Sequence, residues 1–190
     1  PSPPELPADG DFPDMPQDFI GILREAARAK ERVMIAADGG AYGNAYYNRV
    51  ASVGLAVWRD GEHAGKARVR RPGRDQTSYG AELWGLFLCL KGIVHTGVQA
   101  DIWVDNLAVV RRATRIWTNR VPLPKDSPAI WARVKLWGVE ARKKGTVLRW
   151  CPSHGKAKKW EPPHPFLVGE IRAINQTADD EATAIIEEEK

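Results

Sequence analysis

At 190 residues, 43% hydrophobic and 27% charged with a mean hydropathy of −0.40, the chain reads as one globular domain able to bury a core unaided; its two cysteines, Cys89 and Cys151, are too few and too far apart for a disulfide framework or a zinc site. No apolar run approaches the roughly 18 residues of a membrane span and no basic-then-apolar leader opens the chain, which argues against membrane and secretory classes and for an intracellular, reducing setting. The formal charge of +4 conceals an uneven spread, because residues 1–18 hold five acids and no base and residues 179–190 six acids and one lysine; the body between carries a net of +14, which calls for a polyanionic partner, nucleic acid first.

Residues 1–16, rich in proline and acid and starting at Pro1, read as a disordered lead of a piece cut from a longer polypeptide. In residues 17–32, Phe19, Ile22, Leu23, Ala26 and Ala27 recur at helical spacing, so an amphipathic helix is predicted. The run 33–37 reads as a buried strand that stops at a turn, Asp38-Gly39-Gly40, and the domain proper is expected from 33 to 190. Residues 50–58 and 66–71, joined through Asp60-Gly61, complete an antiparallel meander. Thr77 then opens a helix with Leu83, Leu86, Phe87, Leu90 and Val94 on one face, closed by Gly97. A strand at 101–104 ends on Asp105 and leads into a helix at 107–117; a proline-broken stretch precedes another helix at 129–143, and 146–151 gives the last strand. Residues 152–174, with four prolines, read as a long loop before a final helix from about Asn175. The order predicts a mixed α/β layer architecture around a five-stranded sheet.

Four acids in this scheme stand where elements begin or end. Asp38 and Asp105 close strands, Glu82 lies in the first turn of one helix and Asp179 in that of another. Singly, each has an ordinary explanation as a turn residue or a partner of a helix dipole. Jointly, strand ends and helix starts can meet on one sheet edge, and converging carboxylates stay ionised only beside cations. Oxygen-only ligands select a hard metal, Mg²⁺ or Mn²⁺. With a basic body, that chemistry predicts phosphodiester hydrolysis assisted by two ions, one activating water and one stabilising the leaving oxygen.

At these residues the sequence resembles the ribonuclease H family, type 1 or associated with a retroelement reverse transcriptase. Asp38-Gly39-Gly40-Ala41-Tyr42-Gly43-Asn44 is similar to the family's DGSxxGN opening, and Thr77 with Glu82 five residues on to its T-x-x-x-(A/M)-E-L helix start. Asp105 with Val109 resembles D-S-x-x-V, Trp150 with His154 resembles W-x-x-x-H, and Asn175, Ala178, Asp179 and Ala182 match N-x-x-A-D-x-x-A. Ile130-Trp131 also resembles the family's helical L-W pair. The resemblance spans about residues 33–186 and implies the ribonuclease H-like fold, with cleavage of the RNA strand of RNA/DNA hybrids using two Mg²⁺ ions for which Mn²⁺ can substitute. It implies Asp38, Glu82, Asp105 and Asp179 as metal ligands, choosing Asp179 over Asp180, and His154 for proton transfer and product release. Asn44 would read the 2′-hydroxyl, with Gly39, Gly40, Thr77 and Ser78 beside the substrate. The acidic, proline-rich lead and the Ala81-Glu82-Leu83 helix start fit a domain, expected to be monomeric when isolated, of a polyprotein with a reverse transcriptase, and a stand-alone enzyme is the alternative.

Some positions depart from the pattern. Ser78 and Tyr79 stand where two amides are usual, Asn106 and Leu107 where a serine and a polar residue are, and the loop at about 155–174 is longer than usual. Lys156, Lys158, Lys159 and Trp160 cluster there beside His154. Two readings stand open: a substrate flap with lysines on phosphates and Trp160 on a base or sugar, or a solvated loop with Trp160 tucked against the domain. Two rival functions stand as well, a non-catalytic nucleic-acid-binding or scaffolding domain of this fold and a nuclease or transposase acting on DNA. The sequon Asn175-Gln176-Thr177 is expected to be a chance match.

Overall fold

The computed structural model describes residues 15–43, 49–73, 76–153 and 155–188, the last four of these as backbone only. The lead up to Asp14, Asn44 and His154 lie outside the described residues. Among those described, the elements run α1 (Gln17–Arg28), β1 (Arg32–Tyr42), β2 (Val50–Arg59), β3 (Glu62–Arg70), α2 (Ser78–Thr96), β4 (Gln99–Val104), α3 (Leu107–Asn119), α4 (Pro128–Lys143), β5 (Val147–Trp150) and α5 (Val168–Glu188).

The sheet order is β3-β2-β1-β4-β5, antiparallel through β3, β2 and β1 and parallel from β1 to β4 to β5. Strand side chains alternate between faces. Ile35 and Ala37 of β1 join one large core with α1, α2, α3 and α4, whereas Ala36 packs with Ala56 against Ile174 and Ala178 of α5 on the other face. Helix α2 lies between the sheet, α1 and α4, which explains why it is apolar on nearly every side. Thr77 caps it, its hydroxyl accepting from the Gly80 amide at 2.9 Å, and Gly97 ends it in the left-handed region at φ 76°. Helix α1 is part of the same body: Phe19, Ile20, Leu23 and Ala26 are buried in the main core.

The structure revises three expected boundaries. β1 does not stop at Asp38 but runs on to Tyr42, with Asp38, Gly39 and Gly40 paired to Gly54, Val53 and Ser52. The glycines that signalled a turn are there for packing: a Cβ on Gly39 would lie 2.5 Å from the Glu82 nitrogen and 2.6 Å from the Ala81 carbonyl carbon, so only bare backbone lets α2 rest on β1. β3 begins at Glu62, earlier than the expected 66. α5 begins at Val168, not near Asn175, so residues 168–174, expected as loop, are its first two turns; buried Ile171, Ile174, Ala178 and Ala182 form one stripe at helical spacing.

Charged pairs pin both ends of the sheet. Asp101, buried on β4, accepts from Arg32 Nε at 2.7 Å and Arg149 Nε at 2.9 Å, tying β1, β4 and β5 at the end away from Asp38. On the same face, at the β3 edge, Glu181 of α5 accepts from Arg68 at 2.9 Å and Lys66 at 3.2 Å. Both carboxylates are paired twice, which offsets the cost of burying a charge.

Candidate active site

The sheet itself delivers two carboxylates to one place. β1 and β4 are parallel, with Ala36 opposite Trp103; two residues further along both strands stand Asp38 and Asp105, on the face that α5 covers. Glu82 arrives from the opposite face, in the turn of α2 that rests on Gly39. Oxygens of Asp38, Glu82 and Asp105 all come within 4.8 Å of one another.

Asp179 is brought by α5. A Cβ on Gly54, the β2 partner of Asp38, would fall 1.7 Å from the Ala178 carbonyl oxygen, so α5 lies directly on the strand there. The Ser52 hydroxyl donates to the Ala182 carbonyl at 2.7 Å one turn further on. Asp179 thereby hydrogen-bonds Asp38, although it stands outside the three-carboxylate group. Asp180 is exposed and accepts from Gln176 at 2.8 Å within its own helix. Of the two acids, Asp179 is the one that acts on Asp38.

The carboxylates disfavour one another's charged forms. Burial, then the charge of Asp105, then the hydrogen bond and charge of Asp179 push the Asp38 carboxyl up to about 9, against a smaller opposing effect of the Gly39 amide, which donates to it at 2.9 Å. Burial also raises Glu82, opposed by a hydrogen bond from Asn106, with Asp105 adding to the rise. Three oxygen donors crowded against self-repulsion fit a hard divalent ion of the Mg²⁺ or Mn²⁺ kind.

Two residues that support the site were not assigned a role by sequence reasoning. Asn106 donates from Nδ2 to Glu82 at 2.8 Å while its Oδ1 caps α3 by accepting from the Val109 amide at 3.1 Å. A polar residue directly after Asp105 and before a helix is the signal that marks it. Arg172 of α5 donates to the Lys156 and Ala157 carbonyls at 3.3 and 3.0 Å, a role hidden while residues 168–174 are read as loop.

The remaining expected site residues divide. Trp150 donates from its indole to the Asp105 carbonyl at 3.3 Å, locking β5 to the site. Gly40 pairs with Ser52 in the sheet, and the Thr77 oxygen is engaged as a helix cap, with Thr77 and Ser78 exposed. Tyr79 is structural, its hydroxyl accepting from Trp131 at 3.1 Å and Arg112 at 3.0 Å. Lys156, Lys158 and Lys159 are exposed, whereas Trp160 is half-buried, edge-on to Trp103 at 6.2 Å and Trp150 at 6.1 Å. Trp160 is therefore an anchor of the loop in this conformation, and the second of the two open readings describes it.

No family model matches the sequence, and no curated protein does. Solved structures do match. An N-terminal RNase H domain from Mycobacterium tuberculosis, solved as a fusion with maltose-binding protein, is 21% identical with a TM-score of 0.54 over 84% of this chain and 99% of that one. The RNase H domain of prototype foamy virus is 14% identical, with a TM-score of 0.59 over 83% and 96%. LC11-RNase H1, isolated from compost and solved with an RNA/DNA hybrid, is 16% identical, with a TM-score of 0.52 over 81% and 99%. At such identities the likeness is one of fold, and it extends over nearly the whole of each of these domains. A sheet ordered β3-β2-β1-β4-β5 with one helix alone on its far face is thus shared with these proteins: the chain has the ribonuclease H fold.

Proposed function

We propose that this chain is a ribonuclease H that hydrolyses the RNA strand of RNA/DNA hybrids with two divalent cations, as a domain of a retroelement polyprotein beside its reverse transcriptase. The convergence of Asp38, Glu82 and Asp105 within 4.8 Å carries the reading. A domain kept only for scaffolding gains nothing from carboxylates that raise one another's pKa, and such groups are a mark of functional sites. The neighbour crystallised with an RNA/DNA hybrid and the foamy-virus domain support the substrate and the setting.

Asp38, Glu82, Asp105 and Asp179 would hold the cations. Bound there, they would neutralise the carboxylates and supply Lewis-acid polarisation of the phosphodiester and of a water at the scissile bond. Asn106 keeps one Glu82 oxygen oriented, and the Trp150 bond fixes the chain at Asp105. His154 is assigned proton transfer, and Asn44 recognition of the RNA 2′-hydroxyl.

Labelled RNA/DNA hybrid, duplex DNA and duplex RNA, each incubated with Mg²⁺ or EDTA, test the reading. The expected result is metal-dependent cutting of the hybrid's RNA alone, abolished in Asp38→Asn and Asp105→Asn. Binding without cutting selects the scaffolding function, cutting of duplex DNA selects the DNA nuclease, and cutting that survives both substitutions removes the site.

A further inference from the structure

The outer side of α2 carries a row of aromatic rings with cations resting on them. Trp84, Phe87 and Lys91 lie three and four residues apart and so share one side of the helix. α4 contributes Arg133 and Trp137, and Arg71 reaches in from the end of β3. The Arg71 guanidinium is 4.8 Å from the Trp84 ring centre, Arg133 is 5.6 Å from Trp84 and 5.4 Å from Phe87, and Lys91 Nζ is 5.7 Å from Phe87 and 5.8 Å from Trp137.

The rings belong to the core, with Trp84 and Phe87 buried and their centres 4.9 Å apart. The platform is therefore fixed, and Arg133 on it faces solvent. A ring face orients a cation without cancelling its charge. Trp84 follows Glu82 by two residues, about 200° round the helix, so the row starts on the far side of α2 from the carboxylates. It extends about 10 Å along the helix to Lys91. One strand of a duplex presents a phosphate about every 3.4 Å of axis, so the row spans about three phosphates.

We propose that this α2–α4 row is a second contact surface for nucleic-acid backbone, gripping one strand of the hybrid outside the catalytic edge. The proposal rests on the hybrid being the substrate. A polyanion matches a row of cations, and planar guanidinium groups suit phosphate oxygens. The competing occupant is an acidic peptide, above all the chain's own lead with Glu5, Asp9, Asp11 and Asp14.

Binding of labelled hybrid is measured by fluorescence anisotropy in EDTA over a range of salt. Replacing Arg71, Lys91 and Arg133 together by Gln should weaken binding at least tenfold and flatten the slope of log K against log salt by about 2.7, or about 0.9 for each phosphate no longer neutralised. Arg133→Gln alone, at an exposed side chain, should flatten it by about 0.9. A control with the same charge change, Arg28, Lys30 and Lys144 to Gln, should leave the slope nearly unchanged. Under Mg²⁺ the row variant should raise KM and keep kcat. Equal slopes for row and control overturn the proposal. So does a chain whose four lead acids are neutralised and which binds hybrid more tightly only while the row is intact, because the row then holds the lead. Failure of the cleavage reading shows only in the Mg²⁺ arm, with the binding arm still informative.

Discussion

At the carboxylate edge, two helices press on bare backbone, α2 on Gly39 and α5 on Gly54, with no side chain between. In the loop of residues 151–167 the contacts are of another kind: Trp160 and Phe166 stand edge-on to Trp103, two carbonyls accept from Arg172, and the lysines point outward. The first region admits no slack, since an added methyl group meets carbonyl oxygen or amide. The second is held at a few points and leaves its charges to solvent. Chemistry that needs oxygens placed within a fraction of an ångström sits in the first, and a role in gripping a polyanion fits the second.

The largest effect expected is at the first. Asp38→Asn should lower hybrid cleavage by on the order of 10³-fold, the scale of losing one group that stabilises developing charge, read in a single-turnover assay with folding checked by circular dichroism. Next comes Gly54→Ala, which forces a methyl group onto the Ala178 carbonyl and should cost about 3 kcal/mol in urea unfolding. Gly155→Ala in the loop, with φ at 77° but open space around it, should cost about 1 kcal/mol. Equal costs would erase the contrast between the regions.

The apolar strand runs and the apolar α2 were legible because local sequence determines them, whereas three acids stand elsewhere in their elements than expected: Asp38 within β1, Glu82 past the first turn of α2 and Asp179 in the middle of α5. Asp105, directly after β4, could be placed at a strand end from its own neighbours. The extension of β1 through Gly39 and Gly40 was not legible, since a glycine pair signals a turn locally, and only the approach of α2 from 42 residues away makes it a packing device. The early start of α5 was hidden for a similar reason: four prolines upstream mark loop, and the stripe of Ile171 and Ile174 acquires meaning only with Ala178 and Ala182 beyond it. Trp160 could be read as free or tucked, because the partners that decide it, Trp103 and Trp150, lie far back in the chain.

The tightness of the carboxylate edge also sets a pH dependence. Between the ordinary value of 3.8 and about 9, the folded chain keeps a proton on Asp38 that the unfolded chain has lost. The folded state then binds more protons, so stability without metal falls as pH rises through that window. The rise of Glu82 acts in the same sense. In EDTA, Tm should decline from pH 5 to pH 9; Asp38→Asn should flatten the decline and melt higher than the native chain at pH 8, while added Mg²⁺ should restore the native chain most at the alkaline end. A flat native profile would show that the carboxylates do not strain one another.

A smaller effect is expected one bond away. Asn106→Ser keeps a helix cap but withdraws the amide from Glu82, so Mg²⁺ affinity, read by calorimetry, should fall about tenfold with little change in Tm. An equal fall in Asn106→Asp, which caps but repels Glu82, is not expected: that variant should bind the free ion differently and shift its pH dependence. Identical behaviour of the two would reduce Asn106 to a cap.

The smallest effect tests the loop. Lys156, Lys158 and Lys159 are exposed, so changing all three to Gln should leave Tm within about 1 °C, surface substitutions being close to neutral. If they touch phosphates, the salt slope of hybrid binding should flatten by up to about 2.7, with affinity falling a few-fold near physiological salt. Trp160→Ala should do the reverse, lowering Tm because its ring no longer packs on Trp103 and Trp150, and altering hybrid binding only as far as the loop loosens. Two outcomes break this division: lysines that alter stability, which would make the loop a packed element like the carboxylate edge, or a Trp160 variant that melts normally but binds hybrid poorly, which would return its ring to the substrate.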